Sequence, residues 1–174
     1  MKCKTILAGF ILTILAGYSG YSYYFENNTS YGQYPVIDGI KCDTSEHLYF
    51  HYHAHLDIDI NGMSYVIPAG IGIHPPQCIY WLHTHDISGI IHVESPDNRT
   101  FTLGQFFDIW NMKFNNTQLF DYKVGNDDKK LSVYVNGTLM DKQYRDIPIH
   151  NHDAIAIIYG SPPAEIPSTY EFQY

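Results

Sequence analysis

Histidine is the residue type whose number and spacing first indicate chemistry. The chain has 174 residues, of which 10 are histidine and 16 are tyrosine. Unprotonated imidazole is a good ligand for Zn²⁺, Cu²⁺ and Ni²⁺. We therefore predict a divalent metal site, with copper or zinc as the ion. Its candidate ligands are His53, His55, His83, His85 and His92.

The candidates differ in how well their positions suit a ligand. His55 and His83 are the strongest, because each lies mid-strand within a His-x-His pair. Glu94 and Asp86 are the acidic candidates, either as partners that fix the tautomer of a ligating histidine or as a general base. His51 can add a ligand, but it begins a strand and is expected to be solvated. The remaining histidines are predicted to lie on the surface or in turns: His47, His74, His150 and His152.

The first element that must position these residues runs from Phe50 to Ile60. Apolar and polar residues alternate along it, which is the pattern of a half-buried strand. The polar face carries three histidines, and the Asn61-Gly62 pair that follows is a strong hairpin signal. Histidines 51, 53 and 55 are therefore predicted to line one polar face of a sheet.

A second hairpin is predicted from Ile79–His85 and Ile90–Ser95, joined by a four-residue loop. This register pairs His83 with His92, Trp81 with Glu94, and His85 with Ile90, and it places the histidines on the face of Glu94. If both hairpins share one sheet, at least three imidazoles converge on one point. The sequence predicts that convergence.

The rest of the chain indicates an α+β domain. Thr102 and Gln105 form the pattern of a capping box, which predicts one helix over Leu103–Met112. Strands are predicted at Leu131–Val135 and Ala154–Tyr159. The fold class is α+β, a mixed or antiparallel sheet of hairpins with one helix, in an order that is β-grasp-like. That analogy carries no activity.

The N-terminus has the features of a targeting segment. Lys2 and Lys4 precede the apolar run Thr5–Gly17, so residues 1–25 are predicted to be a signal anchor or a cleaved signal peptide. Residues 26–38 form a polar tether, and residues 39–174 form the His-rich extracytoplasmic domain. The expected location is the cell membrane, single-pass with the domain outside the cytoplasm, or secretion.

Export agrees with the cysteines and with the charge. Only Cys42 and Cys78 lie in the exported part, which predicts a disulfide between them. Sequons at Asn27, Asn28, Asn98, Asn115 and Asn136 are potential glycosylation sites. The formal charge of −8 excludes nucleic acid as an expected partner. The expected partners are a metal ion and, through the N-terminal segment, the membrane; no protein partner is indicated.

Two known metal folds compete with this interpretation. His83-Thr84-His85 begins a cupin pattern, but Glu94 comes too late for it. Cys78 and His83 have the Cys-x4-His spacing of a cupredoxin, which would use the Cys78 thiolate as a copper ligand and so excludes the disulfide. No methionine follows at the axial position.

The chain also resembles a set of exported archaeal and bacterial proteins with no established activity. The shared motifs are FHYHAHLDIDING, IPAGIGI, CIYWLHTHDISGIIHVESP and FTLGQFFDIW. The resemblance covers most of the chain from about Gly39 and implies no activity. Three functions follow from the residues: handling, sensing or delivery of copper or zinc; hydrolysis or hydration at a histidine-bound zinc; or a non-catalytic interaction module at the cell surface.

Overall fold

The computed structural model describes residues 34–125 and 129–172. The predicted anchor (residues 1–25) and the first part of the predicted tether lie outside them. Tyr34–Tyr174 forms one compact unit. Tyr34 stacks on His74, and the Tyr80 hydroxyl donates to the Pro35 carbonyl over 2.6 Å. Within the described ranges, no helix is long and apolar enough to cross a membrane.

The described residues form short strands, one α-helix and one 3-10 turn. The strands are β1 (Cys42–Asp43), β2 (Phe50–Ile60), β3 (Met63–Tyr65), β4 (Ile73–His74), β5 (Cys78–Tyr80), β6 (Leu82–His83), β7 (Ile90–Ser95), β8 (Phe101–Thr102), β9 (Phe114–Asn115), β10 (Gln118–Leu119), β11 (Tyr122–Lys123), β12 (Leu131–Val135), β13 (Thr138–Leu139), β14 (Pro148–Ile149) and β15 (Ala154–Tyr159). Helix α1 spans Leu103–Ile109, and the 3-10 turn spans Tyr144–Asp146.

The largest sheet has the strand order β13-β12-β15-β2-β7-β6, with β3 paired to the end of β2. Strand β15 is parallel to β2, and the other neighbours are antiparallel. The predicted mixed sheet is therefore confirmed, as are the predicted bounds of β2, β12 and β15. The β-grasp analogy stays a prediction. Asn61 and Gly62 both have positive φ, 57° and 80°, as a tight hairpin turn requires.

The second hairpin differs from its prediction in one respect. The predicted strand Ile79–His85 is divided, because β5 pairs with β1 and β4 in a separate sheet while β6 joins the largest sheet. The division falls at Trp81. The Tyr80 amide donates to Gly72, whereas the Trp81 carbonyl accepts from Glu94. The Thr84 amide then donates to Ile71, so His85 lies beyond the strand.

Helix α1 begins as predicted and ends early. Thr102 is the N-cap, and Gln105 completes the capping box. The helix stops at Ile109 instead of Met112, because Asn111 adopts a φ of 58° that is incompatible with a continuing right-handed helix. Phe106 and Phe107 are fully buried in the same apolar cluster as the sheet's inward side chains. On β2 and β7 the histidines alternate with these inward side chains and therefore lie on the opposite face of the sheet.

Candidate metal centre

Three adjacent strands place three histidines in one row. His53 of β2 is the cross-strand partner of His92 on β7, and His92 is in turn the partner of His83 on β6. The predicted pairing of His83 with His92 is confirmed. Neighbouring strands lie about 4.8 Å apart, so three imidazoles on one face meet at side-chain range. Glu94 follows His92 by two residues and therefore shares its face.

The imidazole nitrogens approach one another closely. His51 Nε2 lies 3.1 Å from His53 Nε2, and His53 Nε2 lies 3.0 Å from His92 Nδ1. His83 Nε2 lies 3.2 Å from His85 Nε2. Ligands on a tetrahedral ion with bonds of 2.0–2.1 Å are about 3.3–3.4 Å apart. The spacing of these nitrogens is therefore close to that of ligands around one small cation.

Glu94 lies among the imidazoles. Its Oε1 is 3.4 Å from His51 Nε2 and 3.9 Å from both His83 Nε2 and His92 Nδ1. The side chain is only 3% exposed, and Oε2 is buried without a hydrogen-bond partner among the described residues. Buried polar atoms are normally paired. Oε2 is therefore a free acceptor on a carboxylate whose other oxygen lies among the imidazole nitrogens.

Hydrogen bonding fixes the tautomer of His83. Its Nδ1 lies 2.9 Å from the Tyr80 carbonyl oxygen. A carbonyl can only accept, so Nδ1 carries the proton and Nε2 keeps its lone pair. Such a bond is the usual way in which a ligating histidine is oriented. Nε2 is the atom that faces His85 and Glu94.

Burial keeps the inner imidazoles unprotonated. Removal from water lowers the pKa of His83 to about 4 and that of His92 to about 3, and it also lowers the pKa of His53. Burial raises the pKa of Glu94 to about 7, and the Glu46 carboxylate adds to this effect. Metal ligands must be unprotonated. Protons therefore compete weakly for the inner histidines at neutral pH.

The centre is open to solvent on one side. The side chains of His51 and His85 are 35% and 43% exposed, whereas His83 is fully buried. His85 Nε2 also lies 3.5 Å from Glu46 Oε1. The exposed side chains therefore mark the solvent-facing rim of the centre, and His83 lies at its buried end.

Four of the five predicted histidine ligands lie in a donor group, three of them together with Glu94, and one lies in none. Two groups have donor atoms within 4.8 Å of one another: His83, His85, His92 and Glu94; and His51, His53 and His92. His55 belongs to neither group. Its Nε2 lies 2.8 Å from the Ser88 carbonyl oxygen, and its ring stacks on Tyr170 at 3.7 Å.

Asp86 also lies apart from the cluster. It is exposed, and its Oδ1 accepts a hydrogen bond from the Ser88 amide over 2.8 Å. Asp86 is in neither ligand group. The structure therefore separates the two acidic candidates, and only Glu94 lies within reach of a histidine-bound ion.

His51 is the residue that sequence reasoning undervalued. His51 is exposed, as its position at the start of a strand indicated, but it is also the cross-strand partner of Glu94 and a member of the second ligand group. The alternation with His53 was the signal, since both side chains share one face. The partner strand could not be identified from that alternation.

A disulfide joins β1 to β5. Cys42 and Cys78 are joined with an S–S distance of 2.01 Å and a Cα–Cα distance of 5.3 Å, so the predicted bridge is present. Cys78 is therefore not a copper thiolate, and the cupredoxin alternative is wrong. Asp43, next to Cys42, accepts from Trp81 Nε1 over 2.7 Å. The bridge fixes the chain segment that leads to Glu46.

Two surface cavities lie elsewhere. One is lined by residues of α1, of β9 and of the segment between them, including Asp108 and Met112. The other is lined by residues of β2, β3 and β15, including Asp57 and Ala156. Neither contains a histidine of the cluster.

The site and the fold together define a β-rich domain with a histidine- and glutamate-lined centre that is geometrically able to hold a metal ion. No protein-family model, curated protein or solved structure matches the chain. The resemblance to exported archaeal and bacterial proteins therefore stays a prediction.

Proposed function

We propose that the domain binds a divalent copper or zinc ion outside the cytoplasm and serves in handling, sensing or delivery of that metal. The buried Glu94 carboxylate carries the proposal. One of its oxygens lacks a partner among the described residues, and the other lies within 3.9 Å of three imidazole nitrogens. A carboxylate buried this deeply is normally paired with a cation.

The donor set supports this choice of ion. The ligand groups contain only imidazole nitrogen and carboxylate oxygen. Imidazole suits zinc, copper and nickel, whereas oxygen-only sites suit magnesium and calcium. Both cysteines of the described domain are held in the disulfide, so no thiolate is available to favour Cu⁺.

The disulfide supports the location. Disulfides form and persist in oxidising compartments, outside the cytoplasm of most cells. Residues 1–25 are proposed to direct export, as a single-pass anchor that is retained or as a signal peptide that is removed. The exposed rim of the centre would then face the extracytoplasmic medium.

A hydrolase or hydratase is the second candidate. The observation that favours it is the buried Glu94 carboxylate beside three imidazole nitrogens, which would serve as the general base for a metal-bound water. Metal handling needs only the ligand groups, whereas hydrolysis also needs a substrate-binding site. Metal handling is therefore the function that the geometry supports best. The interaction-module alternative requires no ion at all.

Metal analysis after purification in the absence of chelator tests the proposal. The full-length chain should retain zinc or copper when free metal is buffered below the micromolar range, and His83→Ala should lose it. His150→Ala is the matched control, because His150 is exposed and pairs with Asp153 outside the centre. A full-length chain that holds no ion under these conditions would favour the interaction module.

A further inference from the structure

The donor atoms of the centre form two groups instead of one. His83, His85, His92 and Glu94 form the first group, and His51, His53 and His92 form the second. Zinc in proteins takes four ligands, or five when a position expands. Six side chains in two groups therefore exceed the coordination of one ion. His92 belongs to both groups, but a neutral imidazole has one lone pair, so the six side chains supply three donors for each of two ions.

The distances within each group fit an ion of its own. Ligands on one ion with bonds of about 2.1 Å cannot be farther apart than twice that length, about 4.2 Å. His83 and His85 present nitrogens 3.2 Å apart. His51 and His53 present nitrogens 3.1 Å apart. Both pairs are thus spaced as neighbouring ligands.

Glu94 and His92 lie between the two pairs. Glu94 Oε1 is 3.4 Å from His51 Nε2 in the second group and 3.9 Å from His83 Nε2 in the first. Its Oε2 is buried and unpaired among the described residues. The two oxygens of a carboxylate have separate lone pairs, so a single glutamate can bind two cations.

We propose that the centre holds two metal ions of the same class. One is bound by the His83 and His85 pair and the other by the His51 and His53 pair, with His92 and Glu94 between them. This inference rests on the proposed function and adds a second ion to it. The first ion is the tighter one, because His83 is fully buried whereas His51 is 35% exposed.

Zinc titration of the full-length chain, stripped with chelator and kept in detergent, tests the second ion. Native mass spectrometry counts the bound ions, and a competing chelator reports their affinities. The unmodified chain should bind two ions in two steps. His51→Ala should bind one ion tightly, and His85→Ala should weaken the first step at least tenfold. His150→Ala should still bind two.

Copper supplies an independent readout. Two Cu²⁺ ions that share Glu94 interact magnetically, so the electron paramagnetic resonance signal at saturation should be broadened or lost in the unmodified chain. In His51→Ala the signal should be that of one isolated ion. Circular dichroism verifies folding. His51 and His85 were chosen because their exposed side chains make folding failure a small risk, and His51→Gln repeats the test with a polar side chain.

The outcomes separate the two proposals. Saturation of the unmodified chain at one ion would overturn this inference and leave the proposed function standing. Retention of two ions by His51→Ala would also overturn it. Absence of any bound ion would defeat both proposals.

Discussion

Replacement of Glu94 by glutamine should have opposite effects on stability and on metal binding. The glutamine side chain has nearly the same shape as glutamate but carries no charge. In the folded, metal-free domain, burial raises the pKa of Glu94 from its ordinary value of 4.5 to about 7. The folded domain therefore binds a proton that the unfolded chain releases between these two pH values.

The magnitude follows from that difference. A tenfold change in proton affinity corresponds to about 1.4 kcal/mol, so the ionised carboxylate destabilises the metal-free domain by about 3 kcal/mol above pH 7. Below pH 4.5 the carboxyl is protonated in both the folded and the unfolded state, so this cost is absent and stability is highest. The stability is lost as the pH rises through 7 and the folded domain is forced to hold an ionised Glu94. Glu94→Gln should therefore raise the free energy of unfolding by about 2–3 kcal/mol at pH 8, with little change at pH 4.5.

Metal binding should change in the other direction. Glu94 is the only carboxylate in either ligand group, and an amide oxygen is a weaker, uncharged ligand. Removing a group that hydrogen-bonds to a metal ligand, while the ligand itself is kept, already reduces metal affinity by about 10–100-fold. Loss of a ligand itself should reduce zinc affinity by at least that factor.

Urea unfolding of the metal-free protein and zinc titration against a competing chelator measure the two effects. Asp86→Asn is the matched control, because Asp86 is an exposed carboxylate in neither ligand group. The control should change neither quantity appreciably. An unchanged zinc affinity of Glu94→Gln would show that the carboxylate does not bind the metal ion. A lower free energy of unfolding at pH 8 would show that the ionised carboxylate stabilises the fold instead.

Three further predictions follow from the same geometry. His83→Ala should lower zinc affinity by orders of magnitude, whereas His55→Ala, which alters the Ser88 and Tyr170 contacts, should leave it nearly unchanged in the same titration. In metal-free Glu94→Gln, the free energy of unfolding measured in urea should fall as the pH falls from about 6.5 to about 4. Over this range the unfolded chain takes up protons on His83 and His92, whereas burial excludes these protons in the folded domain. A free energy of unfolding that does not change with pH would contradict this. Replacing Cys42 and Cys78 by serine should lower the free energy of unfolding by about 4 kcal/mol, from the entropy of a closed loop with a 36-residue separation; a change below about 1 kcal/mol would show that the bridge does not restrain the unfolded chain.

Local patterns were sufficient to predict the strands and one register. Alternation fixed the face of each histidine on β2, and the short connection between β6 and β7 fixed the pairing of His83 with His92. These are properties of neighbouring residues, with a side-chain period of two. The short β6 strand was not predictable in this way, because its limits depend on partners at Gly72 and Ile71.

The ranking of the histidines required non-local information. Alternation places His51 and His55 on the same face, but residues four apart on a strand are separated by about 13 Å. Their value as ligands therefore depends on what lies opposite on β7. His51 is opposite Glu94, whereas His55 is opposite Ile90. The pairing of β2 with β7 joins distant parts of the chain, and no local pattern specifies it.

The centre is a polar cluster that the metal-free fold tolerates at a cost. The ionised Glu94 opposes folding by about 3 kcal/mol above pH 7, as worked from its pKa. The apolar cluster around α1 and the disulfide offset this cost without any ion. An ion present at a thousand times its dissociation constant adds about 4 kcal/mol to the stability of the folded state. Because an ion that binds only the folded state always shifts the folding equilibrium, metal occupancy and stability should be coupled. A domain in the oxidising compartment should accordingly be more resistant to unfolding when it is loaded than when it is empty.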